Sequence, residues 1–190
     1  NNKINKDLDL LVSQSNRCGA ILKKLSLNPN IEDGFIDSNL SLLDYVTGIV
    51  RSFQEISEKK LIINIDNYQS PIKINKSNEI IYGLRNFIGN ANKFCKEKVE
   101  IFLVNDKKNT EIIIKDDGPG FPNDLIDKHK LGEPYIRTVD QANISKYGLG
   151  LGTFIGKTLL EKNYATIDFR NSQSTGGAVV LIKWKNKDLI

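Results

Sequence analysis

Three short stretches of this 190-residue chain hold residue types that can act together on a phosphorylated ligand. The first is Asn86-Phe87-Ile88-Gly89-Asn90-Ala91-Asn92-Lys93-Phe94. On a helix, Asn90 can offer its amide oxygen to Mg²⁺, a hard cation that takes oxygen ligands. Lys93 lies three residues on, on the same helical face, where its ammonium can neutralise phosphate charge. Phe94 either covers a bound nucleotide or belongs to the core. The second stretch is Asp116-Asp117-Gly118-Pro119-Gly120. Asp116 closes the apolar run Ile112-Ile113-Ile114, and a carboxylate there needs a hydrogen-bond donor, either a local amide or a group on a ligand such as the amino group of adenine. Gly118 and Gly120 let the backbone approach a ligand closely. Asp117 reads as a turn residue that caps local amides. The third stretch is Gly148-Leu149-Gly150-Leu151-Gly152, a glycine ladder that runs into a helix. Phosphate can sit on the free amides of a helix N-terminus.

Two look-alike motifs lie beside the ladder. Gly156-Lys157-Thr158 resembles the end of a P-loop, but the motif requires glycine where Leu151 stands. A dinucleotide GxGxxG beginning at Gly150 requires glycine where Ile155 stands.

These stretches must be carried by regular elements. An apolar stripe of Leu8, Leu11, Ser15, Cys18, Leu22 and Leu25 predicts a helix over 7–25. Its stripe either packs on its own domain or faces a partner helix in a dimeric bundle; the second fits its place outside the domain that follows. Asn28-Pro29-Asn30 ends it, so 1–28 and 29–190 are the expected domains. Ser41-Leu42-Leu43-Asp44 has the form of a capping box and opens a helix to about Lys60. Leu61, Ile63 and Ile65 alternate as a strand. A helix from Ser77 to Phe94 has Ile80, Ile81, Leu84, Phe87, Ile88 and Ala91 on its apolar side. Val99–Val104 and Glu111–Lys115 read as a hairpin. An irregular stretch from Gly118 to Tyr147 lies between the two glycine turns, which suits a lid. A helix from Gly152 to Lys162 and strands near Thr166–Arg170 and Ala178–Lys185 complete the series. Three helices on one face of a mixed sheet make a two-layer α/β sandwich.

Composition narrows the function classes. Hydrophobic content of 39% and charged content of 26% suit a globular domain. No apolar run is long enough to span a membrane. The chain has no methionine, so the expectation is a piece of a longer protein. A net charge of +4, with scattered lysines, does not imply nucleic acid. Two cysteines and one histidine make no zinc spacing.

The three stretches, in this order, resemble the nucleotide site of the GHKL ATPases: gyrase, Hsp90, histidine kinases and MutL. The resemblance implies the Bergerat fold, ATP and Mg²⁺. It implies a nucleotide site built from Asn86, Asn90, Lys93, Phe94, Asp116, Gly118, Gly120, Gly148, Gly150 and Gly152, with Asn90 and Lys93 closest to the phosphoryl chemistry. In the gyrase, Hsp90 and MutL branches a Glu sits one turn before the metal-binding Asn. The matching residue here is Asn86, so water lacks its usual base. The resemblance therefore points to sensor histidine kinases, which hand the ATP γ-phosphate to a histidine. Leu131-Gly132-Glu133-Pro134-Tyr135 is similar to the aromatic-Pro-aromatic lid motif of those kinases, which brings Tyr135 into the site. His129, five residues before Pro134, mimics their phosphoacceptor box, but Lys130 follows it instead of an acid; His129 reads as a lid residue and the acceptor as lying elsewhere. Gly89 departs from the Ser, Glu or Asp that many kinases carry there.

The same segments, with Asn16-Arg17-Cys18-Gly19-Ala20-Ile21-Leu22, look like the RegB/PrrB redox-responsive sensor kinases. That resemblance implies a homodimer through the dimerisation helices, a response-regulator partner, and the cytoplasmic part of a membrane-anchored bacterial protein. It makes Cys18 a redox candidate, with a small buried hydrophobe as the alternative. Two other functions fit parts of the pattern. An anti-sigma-factor serine kinase usually lacks the preceding helix. A nucleotide-sensing module without chemistry would not need every metal and phosphate residue.

Overall fold

The computed structural model describes residues 40–66, 74, 77–134 and 151–189. The chain divides into two units, Asn1–Ile36 and Asp37–Ile190, and all described residues belong to the second. The expected helix over 7–25 with Cys18, and the expected site residues Tyr135, Gly148 and Gly150, lie outside the described residues.

Helix α1 spans Leu42–Gln54, β1 Lys60–Asp66, α2 Asn78–Phe94, β2 Lys98–Asn105 and β3 Asn109–Asp116. A short helix α3 (Asn123–Asp127) follows, then α4 (Gly152–Lys162), β4 (Thr166–Asn171), β5 (Ala178–Lys185) and a 3₁₀ turn at Asn186–Asp188. Ser41 caps α1 as a capping box: its hydroxyl accepts from the Asp44 amide at 3.3 Å, and the Asp44 carboxylate accepts from the Ser41 amide at 2.7 Å. Helix α1 ends six residues before the expected Lys60. The reason is that Ser57 and Lys59 are drawn onto the end of α2, and the Lys60 amide donates to the Glu97 carbonyl at 2.9 Å, which starts β1. The stretch expected to be irregular from Gly118 also corrects: α3 is helical.

The strands form one sheet in the order β1-β2-β3-β5-β4, parallel between β1 and β2 and antiparallel elsewhere. Alternation decides what faces the helices. Val99, Ile101 and Leu103 on β2 are buried, and so are Ile112 and Ile114 on β3 and Ile182 and Trp184 on β5. The apolar side of α2 buries Ile80, Ile81, Leu84, Phe87, Ile88 and Ala91 against them. Asp116 belongs to the same row as Ile112 and Ile114 and pairs with Val99, so register alone turns its carboxylate towards the helices.

Helices α2 and α4 run antiparallel at very close range. A Cβ at Gly83 would lie 2.5 Å from Cγ of Leu160. A Cβ at Gly156 would lie 3.2 Å from Asn86 Cβ and 3.3 Å from the Gly83 carbonyl oxygen. Glycine inside a helix costs about 1 kcal/mol relative to alanine. Here it is the condition for contact. Gly83→Val should therefore destabilise the domain by about 2 kcal/mol, as overpacking does, read as a lower denaturant midpoint. Tyr164, after α4, shows the opposite case. It is 72% exposed and held at φ 62°, a left-handed position that favours glycine. Tyr164→Gly should raise the midpoint, with a gain of up to about 1 kcal/mol.

Candidate functional site

The contact between α2 and α4 places the predicted polar residues. Gly152 and Gly156 are one helical turn apart on α4, and Leu160 is one turn further. Opposite them on α2 stand Asn90 and Asn86, then Asn86 and Phe87, then Gly83. A Cβ at Gly152 would sit 3.4 Å from both amide atoms of Asn90 and 3.5 Å from Asn86 Oδ1. The last glycine of the ladder thus lies against both asparagines. Asn90 Nδ2 donates to Thr153 Oγ1 at 3.3 Å, and Asn86 Nδ2 donates to the Tyr82 carbonyl at 2.8 Å. With both nitrogens engaged, the two amide oxygens remain as acceptors. Half-buried amide oxygens beside the first turn of a helix are a donor set that fits Mg²⁺, which binds few protein oxygens and completes its shell with phosphate and water. Gly156-Lys157-Thr158 lies inside α4, so it forms no phosphate loop.

The other end of the candidate site is built at Asp116. This residue is 9% exposed. Its Oδ1 accepts from the Gly118 amide at 2.8 Å and the Ala178 amide at 3.1 Å. Its Oδ2 has no hydrogen-bond partner among the described residues. Burial pushes the Asp116 carboxyl above its ordinary value, and the two amides only partly oppose this. A buried, half-satisfied carboxylate is an acceptor prepared for a donor. The glycines around it are sterically required. A Cβ at Gly118 would lie 2.5 Å from the Phe94 carbonyl oxygen, and one at Gly177 would overlap the Asp116 carbonyl oxygen at 1.9 Å. Gly120 has φ 76°, and its Cβ would meet the Gly176 carbonyl at 2.3 Å.

Lys93 is exposed, with its ammonium 5.4 Å from the centre of the Phe94 ring. Asp117 caps amides as expected, but they are not local. Its two oxygens accept from Lys96, Glu97 and Lys98, across the chain on the other side of the corner. Burial opposes its charge, yet those amides hold its carboxyl below the usual value. Gly89 also has a physical account: a Cβ there would lie 3.0 Å from the Phe53 ring, which packs under the Arg85 guanidinium at 5.0 Å. A larger residue at 89 would have to displace that ring. His129 is exposed in a left-handed turn after α3, φ 50°.

The sequence reading missed Thr153, Ala178 and Asn171. Thr153 follows the ladder directly, where a hydroxyl can reach a neighbouring amide. Ala178 acts through its backbone, and its signal was the Gly176-Gly177 pair before β5. Asn171 clamps the Phe121 backbone, accepting from its amide at 2.7 Å and donating to its carbonyl at 2.8 Å. No single residue type announces such a clamp.

The state of Asp116 predicts a pH signature. Its folded pKa is raised above the ordinary 3.8, so the stability it contributes is present below that value and lost as pH rises through the folded pKa. Asp116→Asn keeps an oxygen for both amides and removes the buried charge. The variant should be at least as stable as the parent at neutral pH, and that advantage should shrink as pH falls towards 3.8, followed by thermal melts across acid pH.

Known proteins resemble this chain in sequence and in fold. The family model for the histidine kinase-, DNA gyrase B-, and HSP90-like ATPases matches residues 75–188. Over 99 residues the chain is 39% identical to the sensor histidine kinase RegB of Cereibacter sphaeroides, covering 50% of this chain and 21% of RegB. The chain thus spans about a fifth of that relative. The mycobacterial sensor histidine kinase MprB has the same fold, with a TM-score of 0.64 at 19% identity over 77% of this chain and 96% of the MprB chain. Full-length ShkA, solved in complex with AMPPNP, matches with a TM-score of 0.61 at 19% identity over 77% of this chain and 30% of its own.

Proposed function

Because the chain belongs to the histidine kinase-, DNA gyrase B-, and HSP90-like ATPase family, we propose that it is the ATP-binding catalytic part of a sensor histidine kinase. In this reading the γ-phosphoryl group of ATP passes to a histidine outside this chain and then to a response regulator. The observation that carries it is the pair Asn86 and Asn90 facing Gly152 with amide oxygens. Two amide oxygens lie at that contact, where they would serve as ligands for a cation, and a carboxylate that could activate water is not the group at position 86. Asn90 and Asn86 would hold Mg²⁺, and the ion would supply charge neutralisation between the phosphates. Asp116 Oδ2 accepts from the adenine amino group, and Lys93 approaches the phosphates from the exposed end of α2. Phe94, half-buried beside the Asp116 turn, flanks the base. Tyr135, Gly148 and Gly150 belong to the nucleotide-binding set in the same reading.

The similarity to RegB supports redox control and a place on the cytoplasmic side of a membrane-anchored bacterial protein, with a homodimer through the expected dimerisation helices as part of the same reading. Among the described residues no helix is long and apolar enough to cross a membrane. Cys18 is the redox candidate. Oxidation of a chain carrying the whole dimerisation hairpin should crosslink the dimer, and Cys18→Ser should abolish the crosslink while Cys95→Ser keeps it.

Calorimetric titration with Mg-ATP tests the site. Asn90→Ala and Asp116→Asn should each weaken binding by about 2 kcal/mol, roughly 30-fold. Parent-like affinity in both would overturn the assignment. The chain should neither label itself from ATP nor hydrolyse it appreciably, and an added histidine-bearing helix should become phosphorylated. Labelling of His129 would show that the acceptor lies in this chain after all.

A further inference from the structure

We propose that Lys59 and Asp117 are positioning residues that set the base selectivity of the nucleotide site, an inference that rests on Asp116 accepting from adenine. Both grip the corner where α2 turns into β2. Lys59 Nζ donates to the carbonyls of Asn92 at 3.0 Å, Lys93 at 3.4 Å and Cys95 at 2.6 Å. Ser57, two residues earlier, donates to Asn92 Oδ1 at 3.0 Å. A cation on the last carbonyls of a helix satisfies groups that have no partner within the helix and complements its dipole. The next residues present amides instead. Asp117 gathers those of Lys96, Glu97 and Lys98, at 2.8 to 3.3 Å. Opposite charges thus hold the two sides of one corner, each on the backbone groups of its complementary polarity.

This corner connects the two halves of the base site. Asp117 directly follows Asp116, so fixing its side chain fixes the peptide from which the Asp116 carboxylate projects. The Phe94 carbonyl lies against Gly118, leaving no room for a Cβ. A shift of the corner therefore moves Phe94 and the Asp116 turn relative to one another. The phosphate end is held separately, by the packing of Gly152 and Gly156 on Asn86 and Asn90. Loosening the corner should harm recognition of the base and spare the phosphates. Base selectivity, rather than affinity in general, is the quantity that distinguishes positioning from plain structural support.

The experiment compares ATP with inosine triphosphate, which carries an oxygen in place of the adenine amino group. Titrations are made on the parent chain, Asp116→Asn, Lys59→Met and Asp117→Asn, with a melting temperature for each. The parent should prefer ATP, and Asp116→Asn should abolish the preference. Lys59→Met and Asp117→Asn should lose about tenfold in ATP affinity and under about twofold for inosine triphosphate. An unchanged ATP preference in both, with the preference lost in Asp116→Asn, overturns the inference and leaves the base site standing. If Asp116→Asn also keeps the preference, the base-site reading fails and this inference fails with it. Hydrogen exchange on the parent chain covers the case in which the variants do not fold. ATP should slow exchange at the Lys96–Lys98 amides more than inosine triphosphate does at equal saturation; equal slowing overturns the inference.

Discussion

The close antiparallel crossing of α2 and α4 is the constraint on which the site depends. A helix pair normally keeps its axes about 8 to 10 Å apart, set by the side chains between them. Here Gly83 on one helix and Gly156 on the other remove those side chains at the crossing. The same approach, one turn further along, lays Gly152 against Asn86 and Asn90. Two asparagine amides are thus presented at the start of a helix, where the backbone offers free N–H groups. The polar site is a consequence of an apolar packing decision made one turn away.

The Asp116 end of the candidate site obeys a different constraint. Strand alternation forces Asp116 onto the row occupied by Ile112 and Ile114. An ionised group there is costly, whereas the neighbouring Asp117 faces the other way, where three amides outweigh the cost of its burial. Two adjacent carboxyls are driven apart in proton affinity, one raised and one lowered, by their opposite sides of a single strand end. The raised one is left with an acceptor oxygen to give to a ligand. The lowered one is spent on the fold.

Much of this was legible in the sequence because it depends on local pattern. The apolar face of α2, the N-cap at Ser41 and the alternation of β2 and β3 are set by residues three or two positions apart. The end of α1 was not legible, because it is decided by Lys59 reaching carbonyls more than thirty residues away. The partners of Asp117 and Asn171 were hidden for the same reason. Gly156 was readable as glycine but not as a packing contact, since its neighbours on α2 are known only once the helices are docked. Ala178 contributes an amide that every residue but proline carries, so its side chain held no signal.

Gly89 shows how a departure from a family pattern acquires meaning only in context. Read as sequence, it is a missing polar residue beside Asn90. In the fold it faces α1, where the Phe53 ring approaches to 3.0 Å of a Cβ position. Arg85 stacks on that ring and donates to Ser52 Oγ at 3.0 Å, so α1 is tied to α2 by a cation, a ring and a hydroxyl. Burial lowers the Arg85 pKa, as packing a guanidinium into an interface does. The absence of a side chain at 89 therefore admits a neighbour. It anchors the outer side of the helix whose inner side carries the asparagines, and any side chain restored there must compete with Phe53 before it can contribute to chemistry.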